Sequence, residues 1–336
     1  MRPVLPGAQE RQRILELGSS VWAFSALAGA VEGGILEELA TPHTPAEISA
    51  RTGASVALIE AVLDVLVALD LVQADGEAFV CTPGMSAYTS GRRHEIFRAD
   101  LRSTQLLAAE LVARMRAGGA QAQGWRYSDP ALLEAQGVRS VESVPIWAER
   151  LFPALDGLCA ALDAPTASFL DVGTGVGRLA IAMCKQYPAL RVVGLDPSDT
   201  SLALARRNVA EAGLADRIEL RPEPVQDLVD EDCYDLAWVP VMFLPADVAA
   251  PGLQRVRAAL RPGGWVVLGS VAAGGEGLQP AIQRLVGLLF GGGRLFADHA
   301  AEMLRAAAYE RIQVLPAAPG VPIRMIVGRR PVSAST

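Results

Sequence analysis

The fold turns on the stretch Phe169-Leu170-Asp171-Val172-Gly173-Thr174-Gly175-Val176-Gly177-Arg178-Leu179. An apolar run of strand length enters three glycines at alternate positions and leaves in residues that suit a helix. Glycine is needed where a turn takes dihedrals that a Cβ forbids, or where backbone must approach a ligand closely. The helix that follows offers free N–H groups to a polar or anionic group. About twenty residues on, Asp196 closes the next strand, Val192-Val193-Gly194-Leu195, where a carboxylate can accept both ribose hydroxyls of an adenine nucleoside. The spacing is G-x-G-x-G, which differs from the G-x-G-x-x-G of dinucleotide sites.

From Ser168 onward, strand and helix patterns alternate, and that rhythm means a parallel sheet. Strands are expected at 168–172, 191–195, 217–221, 234–239, 264–270, 310–315 and 322–328, with helices between them. The first half reads differently. Residues 10–40 carry a helical apolar pattern that Thr41-Pro42 stops. Thr44 and Glu47 have capping-box spacing at the head of a short helix, Ser55 opens a second, and two short strands surround Asp75-Gly76. Helix, turn, helix and small hairpin make a winged-helix pattern. Residues 92–117 are helical again, 121–128 (with Trp125 and Tyr127) read as a loop, and two helical stretches, 129–137 and 141–162, lead to Pro165. The expected fold is α/β: a Rossmann-like doubly wound sheet with one antiparallel edge over 164–336, an all-helical winged-helix-like domain over 1–120, and connecting helices over 121–163.

Composition narrows the function. Of 336 residues, 51% are hydrophobic and 20% charged, as in a globular chain. A net charge of −7 argues against nucleic acid as partner, because phosphate binding needs a basic footprint. The would-be recognition helix, Ser55 to Asp70, carries Glu60, Asp64 and Asp70 and no Lys or Arg. The apolar stretch from Val21 to Leu39 is broken by Gly29, Glu32, Gly33, Gly34, Glu37 and Glu38, and reads as a buried helix, not a membrane span. Arg2, Pro3 and Pro6 introduce no signal-peptide core, so a cytoplasmic protein is expected. Cys81, Cys159, Cys184 and Cys233 are scattered, and no His, Cys, Asp or Glu cluster has metal-ligand spacing. No metal is expected.

With Asp171 before the first glycine, Asp196 after the second strand and Leu260-Arg261-Pro262-Gly263-Gly264-Trp265 before the fifth, the chain resembles class I S-adenosylmethionine-dependent methyltransferases. The resemblance is to the small-molecule O-methyltransferase type with an N-terminal winged-helix dimerisation domain, and it runs from about residue 10 to 330. It implies S-adenosylmethionine as cofactor, a small-molecule acceptor of secondary-metabolite kind, and a homodimer formed through the N-terminal domain. It also implies that Gly173 and Gly175 pass under the donor's methionine portion, that Asp171 sits near its amino group and that Asp196 holds the ribose. Leu195 and Pro197 would shape the nucleoside pocket, with Val239 at the end of the fourth strand beside it. Where the family carries Gly-Asp to reach the adenine amino group, this chain has Glu223-Pro224. That contact then falls to the Val225 backbone, Gln226 or Asp227, although Asp227 reads equally as a helix cap.

The larger departure is catalytic. Where the family places a histidine base after the fourth strand, this chain has Met242 and Phe243. His43, His94 and His299 all read first as solvated or capping residues, and His299 is the one candidate base left. Trp125, Trp147, Met242 and Phe243 are the candidate acceptor-lining residues. O-methylation is the family's reaction, and the missing base leaves C- or N-methylation open. Two other functions remain: an enzyme that keeps the cofactor without transferring its methyl group, and a nucleoside-sensing DNA-binding regulator.

Overall fold

Two glycines break the first long helix. In the computed structural model, which describes residues 7–118, 124–272, 275–293, 295–316 and 323–332, α1 (Ala8–Glu32) ends where the Gly33 N–H returns to Gly29 O. Gly34, left-handed at φ 74°, then opens the short α2 (Ile35–Glu38). The single helix expected over 10–40 is therefore two. α3 (Pro45–Thr52) begins in the expected capping box, with the Thr44 N–H donating to the Glu47 carboxylate at 2.8 Å. Ser55 caps α4 (Val56–Ala68), and β1 (Val72–Asp75) pairs antiparallel with β2 (Ala78–Cys81). Leu36, Leu39, Ile48, Ile59, Leu63 and Leu66 form the fully buried centre of this unit.

Two expectations are corrected here. Only the end of α1 (Ala28, Ala30 and Val31) is buried, while Ile14, Leu17, Val21 and Trp22 are 65–79% exposed. By length and composition α1 could cross a membrane. Its uncharged run, Leu17 to Val31, is 15 residues. His94 is neither solvated nor a cap: it is buried, with Nε2 3.0 Å from Glu37 and Nδ1 2.9 Å from the Tyr88 carbonyl.

The chain divides into two units, 1–102 and 103–336, and the division falls inside α5 (Gly91–Arg116). The residues expected as a separate connecting region over 121–163 belong to the second unit; of these, 121–123 lie outside the described residues. Asp129 caps α6 (Pro130–Val141), and α7 (Ser143–Ile146) runs into a π-helical turn at Trp147–Leu151. A 3₁₀ turn containing Pro153 follows, then α8 (Leu158–Leu162). Pro153 cannot continue an α-helix, so the expected helix over 141–162 is in pieces.

β3 (Ser168–Val172), α9 (Arg178–Gln186), β4 (Arg191–Leu195), α10 (Asp199–Glu211), β5 (Ile218–Arg221) and β6 (Tyr234–Val239) alternate as expected. α11 (Ala246–Ala259), β7 (Leu260–Val271), α12 (Leu278–Phe290), α13 (Ala297–Ala306), β8 (Glu310–Val314) and β9 (Ile323–Arg329) complete the unit. The sheet order is β5-β4-β3-β6-β7-β9-β8, parallel except for β9, which runs antiparallel to both neighbours. Both faces of the sheet are covered. Phe169, Val192, Leu236 and Val267 pack on one side with α8 and α9, and Leu170, Leu195, Val266 and Ile326 on the other with α11 and α13. The strand order reverses between β3 and β6, which places a ligand crevice outside their carboxyl ends.

Candidate active site

That crevice opens at the glycine turn. Gly173, Gly175 and Gly177 all have positive φ, at 66°, 57° and 75°. A Cβ on Gly175 would meet nothing nearer than 3.9 Å, so the backbone there is bare and approachable. Asp171 is 1% exposed and accepts a 2.7 Å hydrogen bond from the Thr174 hydroxyl. Burial pushes its carboxyl up to about 7; the Thr174 bond opposes the shift and the nearby Asp196 charge adds to it. Asp196, at the end of β4, accepts 2.9 Å bonds from the Gly175 and Ser198 amides. Burial also raises its carboxyl, against those two amides.

Gly194 completes this arrangement, although the turn motif alone does not reveal it. A Cβ there would come within 2.8 Å of the Thr174 hydroxyl, so only glycine leaves room for Thr174 to reach Asp171. A glycine inside an apolar strand is the sequence mark of such a close approach.

On the β5 side, Val225 is buried in a 3₁₀ turn (Val225–Asp227) and Asp227 is exposed. The Gln226 Oε1 is buried with no hydrogen-bond partner among the described residues. An unmatched buried acceptor costs about 1–3 kcal/mol, and an incoming amino group would remove that cost. Pro197 is exposed beside Asp196, and Val239 is buried at the end of β6. A bare glycine cradle, a carboxylate at the strand end and an orphaned acceptor fit a bound adenosyl group.

The other wall is apolar. Met242 is buried and Phe243 half-buried, in one cluster with Leu107, Leu132, Trp125, Val271 and Phe290. The Phe243 ring lies 5.0 Å from both Trp125 and Phe290. Backbone bonds pin the wall: Trp125 N–H to Phe243 O at 3.0 Å, Gly292 N–H to Met242 O at 2.9 Å, and Gly124 N–H to Gly291 O at 3.1 Å. Side chains at Gly291 or Gly292 would run into the backbone of Gly124 or Met242. Tyr127 packs in the same cluster, and its hydroxyl is occupied in donating to Leu289 O at 3.0 Å.

Two candidates lie elsewhere. Trp147 is 1% exposed in the core, its ring centroid 4.9 Å from that of Trp238 and tilted 46° to it, with its indole N–H on the Met325 sulfur, so it offers no surface to an acceptor. His299 is exposed on the first turn of α13, with no hydrogen bond or ion pair among the described residues. His43 bonds the Glu38 carbonyl at 2.8 Å. Among the described residues, no three His, Cys, Asp or Glu side chains converge as metal ligands.

Residues 169–264 match a methyltransferase domain family. The chain is 34% identical over 175 residues to a release factor glutamine methyltransferase of Cereibacter sphaeroides, and spans 60% of that enzyme's length. It is 28% identical over 288 residues to the N,N-dimethyltransferase OxyT of Streptomyces rimosus, a match covering 79% of each chain. Among solved structures, an O-methyltransferase family protein from Burkholderia thailandensis superposes with a TM-score of 0.70 at 17% identity, over 96% of this chain and 98% of that one. Residues 169–264 thus carry the likeness to a methyltransferase domain, and the sheet order with a helical unit ahead of it in the chain has the fold of the O-methyltransferase neighbour.

Proposed function

We propose that the protein transfers the methyl group of S-adenosylmethionine to a small molecule, at a nucleophile that needs no base from the protein. The sulfonium supplies an electrophilic methyl carbon, so positioning carries much of the catalysis. In this reading Asp171, Gly173 and Gly175 receive the donor's amino-acid portion, and Asp196 and Pro197 the ribose. Val225, Gln226 and Val239 enclose the adenine, with Gln226 Oε1 accepting from its amino group. Trp125, Met242 and Phe243 line the acceptor side.

The observation that carries the reading is the apolar wall at Met242 and Phe243, where a proton acceptor would otherwise stand. An unassisted nucleophile is then an amine, an activated carbon, a thiolate or an acidic hydroxyl. Likeness to an N,N-dimethyltransferase over most of both chains favours the amine. The test is a panel of aromatic amines, phenols and activated carbon acids incubated with the donor and read by mass. Gain of one methyl on an amine supports the reading. Consumption of donor only with unactivated phenols overturns the base-free part, and product without donor consumption overturns methyl transfer itself.

A further inference from the structure

α6 touches both halves of the site. Leu132 packs in the cluster of Met242 and Phe290, and half a turn later Glu134 reaches the glycine turn. The Glu134 Oε2 accepts from Arg178 Nε at 3.2 Å and Nη2 at 3.0 Å; its Oε1 accepts from Arg207 at 3.1 Å and from Asn208 Nδ2 at 3.0 Å. Arg178 is the first residue of α9, directly after the glycines. The same Asn208 Nδ2 donates to Val176 O at 2.9 Å, inside the turn. Asn208 is 2% exposed and its Oδ1 has no partner among the described residues. Rotating the amide would set that oxygen against a carboxylate and a carbonyl, so the amide keeps its orientation although one acceptor goes unmet. Gly137, on the same helix, has no room for a Cβ against Val176 and Arg178.

We infer that Glu134 is a positioning residue for the donor-binding turn. Through Asn208, which bonds the Val176 carbonyl, and Arg178, which follows Gly177, it holds the middle and the carboxyl end of Gly175-Val176-Gly177 without touching a ligand. A side chain that accepts from four donors on two helices resists replacement by a neutral one, because Arg178 loses its counter-charge while Arg207 keeps Glu211 at 3.8 Å. The inference rests on the donor reading of the glycine turn, and a variant of Asp196 separates the two.

The test is titration of the full chain with S-adenosylhomocysteine, with hydrogen exchange read over residues 173–180. Glu134→Gln should weaken binding at least about fivefold, the scale of coupling inside one hydrogen-bond network, and should speed exchange in the turn. Glu134→Asp, which keeps the charge on a shorter stem, should fall between Gln and Glu. Arg207→Leu, which removes only the outer partner, should bind within about twofold of the parent. Gly137→Ala, which displaces α6 without changing a charge, should reproduce the loss and decides the matter should Glu134→Gln not fold. Parent-like affinity and exchange in Glu134→Gln or Gly137→Ala overturn the inference, provided Asp196→Ala has lost affinity. Unchanged affinity in Asp196→Ala overturns the donor reading instead.

Discussion

Asp171 is held in a state that a cationic neighbour would reverse. Its carboxyl titrates near 7 in place of 3.8 because burial disfavours the charge. The folded chain therefore binds that proton more tightly than the unfolded chain does. The stability this contributes is full below about pH 4 and lost as pH rises through about 7. An ammonium group beside Asp171 favours the carboxylate, so below neutrality a bound donor must displace the proton. S-adenosylhomocysteine should then bind about tenfold more weakly at about pH 6 than at about pH 8. Calorimetry on the parent and on Asp171→Asn checks this: the variant should bind weakly with no pH slope, and a flat parent profile would remove Asp171 from the amino group. Asp196→Ala should cost about 2–4 kcal/mol of donor affinity, since hydrogen bonds to a charged group are worth about 1.5–3 kcal/mol each and need not add. His299, exposed and without a partner among the described residues, is the control for the missing base. His299→Ala should lower turnover less than about tenfold, against the 10²–10⁴ that a general base supplies; a thousandfold loss with intact donor affinity would restore it as the base. At this scale the motif residues Asp171 and Asp196 were legible because strand and turn chemistry confine them. Trp147 was not, because an aromatic in a helical stretch reads alike whether it lines a cavity or, as here, fills the core under Trp238.

Among elements, the three backbone ties joining 124–125, 242–243 and 291–292 matter most for the acceptor side. They hold an apolar wall by main-chain bonds, and the glycines on one side of it have no room for a methyl group. Gly292→Ala should therefore move Met242 while leaving the donor turn in place. The expected result is S-adenosylhomocysteine affinity within about twofold of the parent and turnover down about a hundredfold, the cost of a misplaced reacting group. Equal losses in both measurements would mean that the wall and the donor turn are not separate. The strands were legible because each is an apolar run bounded by turn residues, and all seven of the sheet appear within a few residues of their expected bounds. The tie at Gly291 and Gly292 was not, since its partners lie about fifty and about 170 residues away and no local pattern encodes a pairing over such separations. The break at Gly33-Gly34 was written in the sequence but masked by the apolar pattern on either side.

For the whole molecule, the unsettled quantity is what covers α1. Its exposed Ile14, Leu15, Leu17, Val21 and Trp22 lie close together along the helix and form a broad apolar stripe that spreads over more than one face. A soluble chain rarely leaves such a stripe open to water. Among the possible covers, we propose a second copy of this chain. Glu10, Arg11, Arg13 and Glu16 supply both signs of charge beside the stripe, as an antiparallel copy of the same helix would require. Light scattering at micromolar concentration should give twice the chain mass, and Leu17→Asp combined with Val21→Asp should give a monomer that still binds S-adenosylhomocysteine. A parent that is already monomeric, or a double variant that remains a dimer, would move the interface off α1. A parent that sediments with anionic vesicles, and no longer does so in the double variant, would assign the stripe to a membrane surface instead.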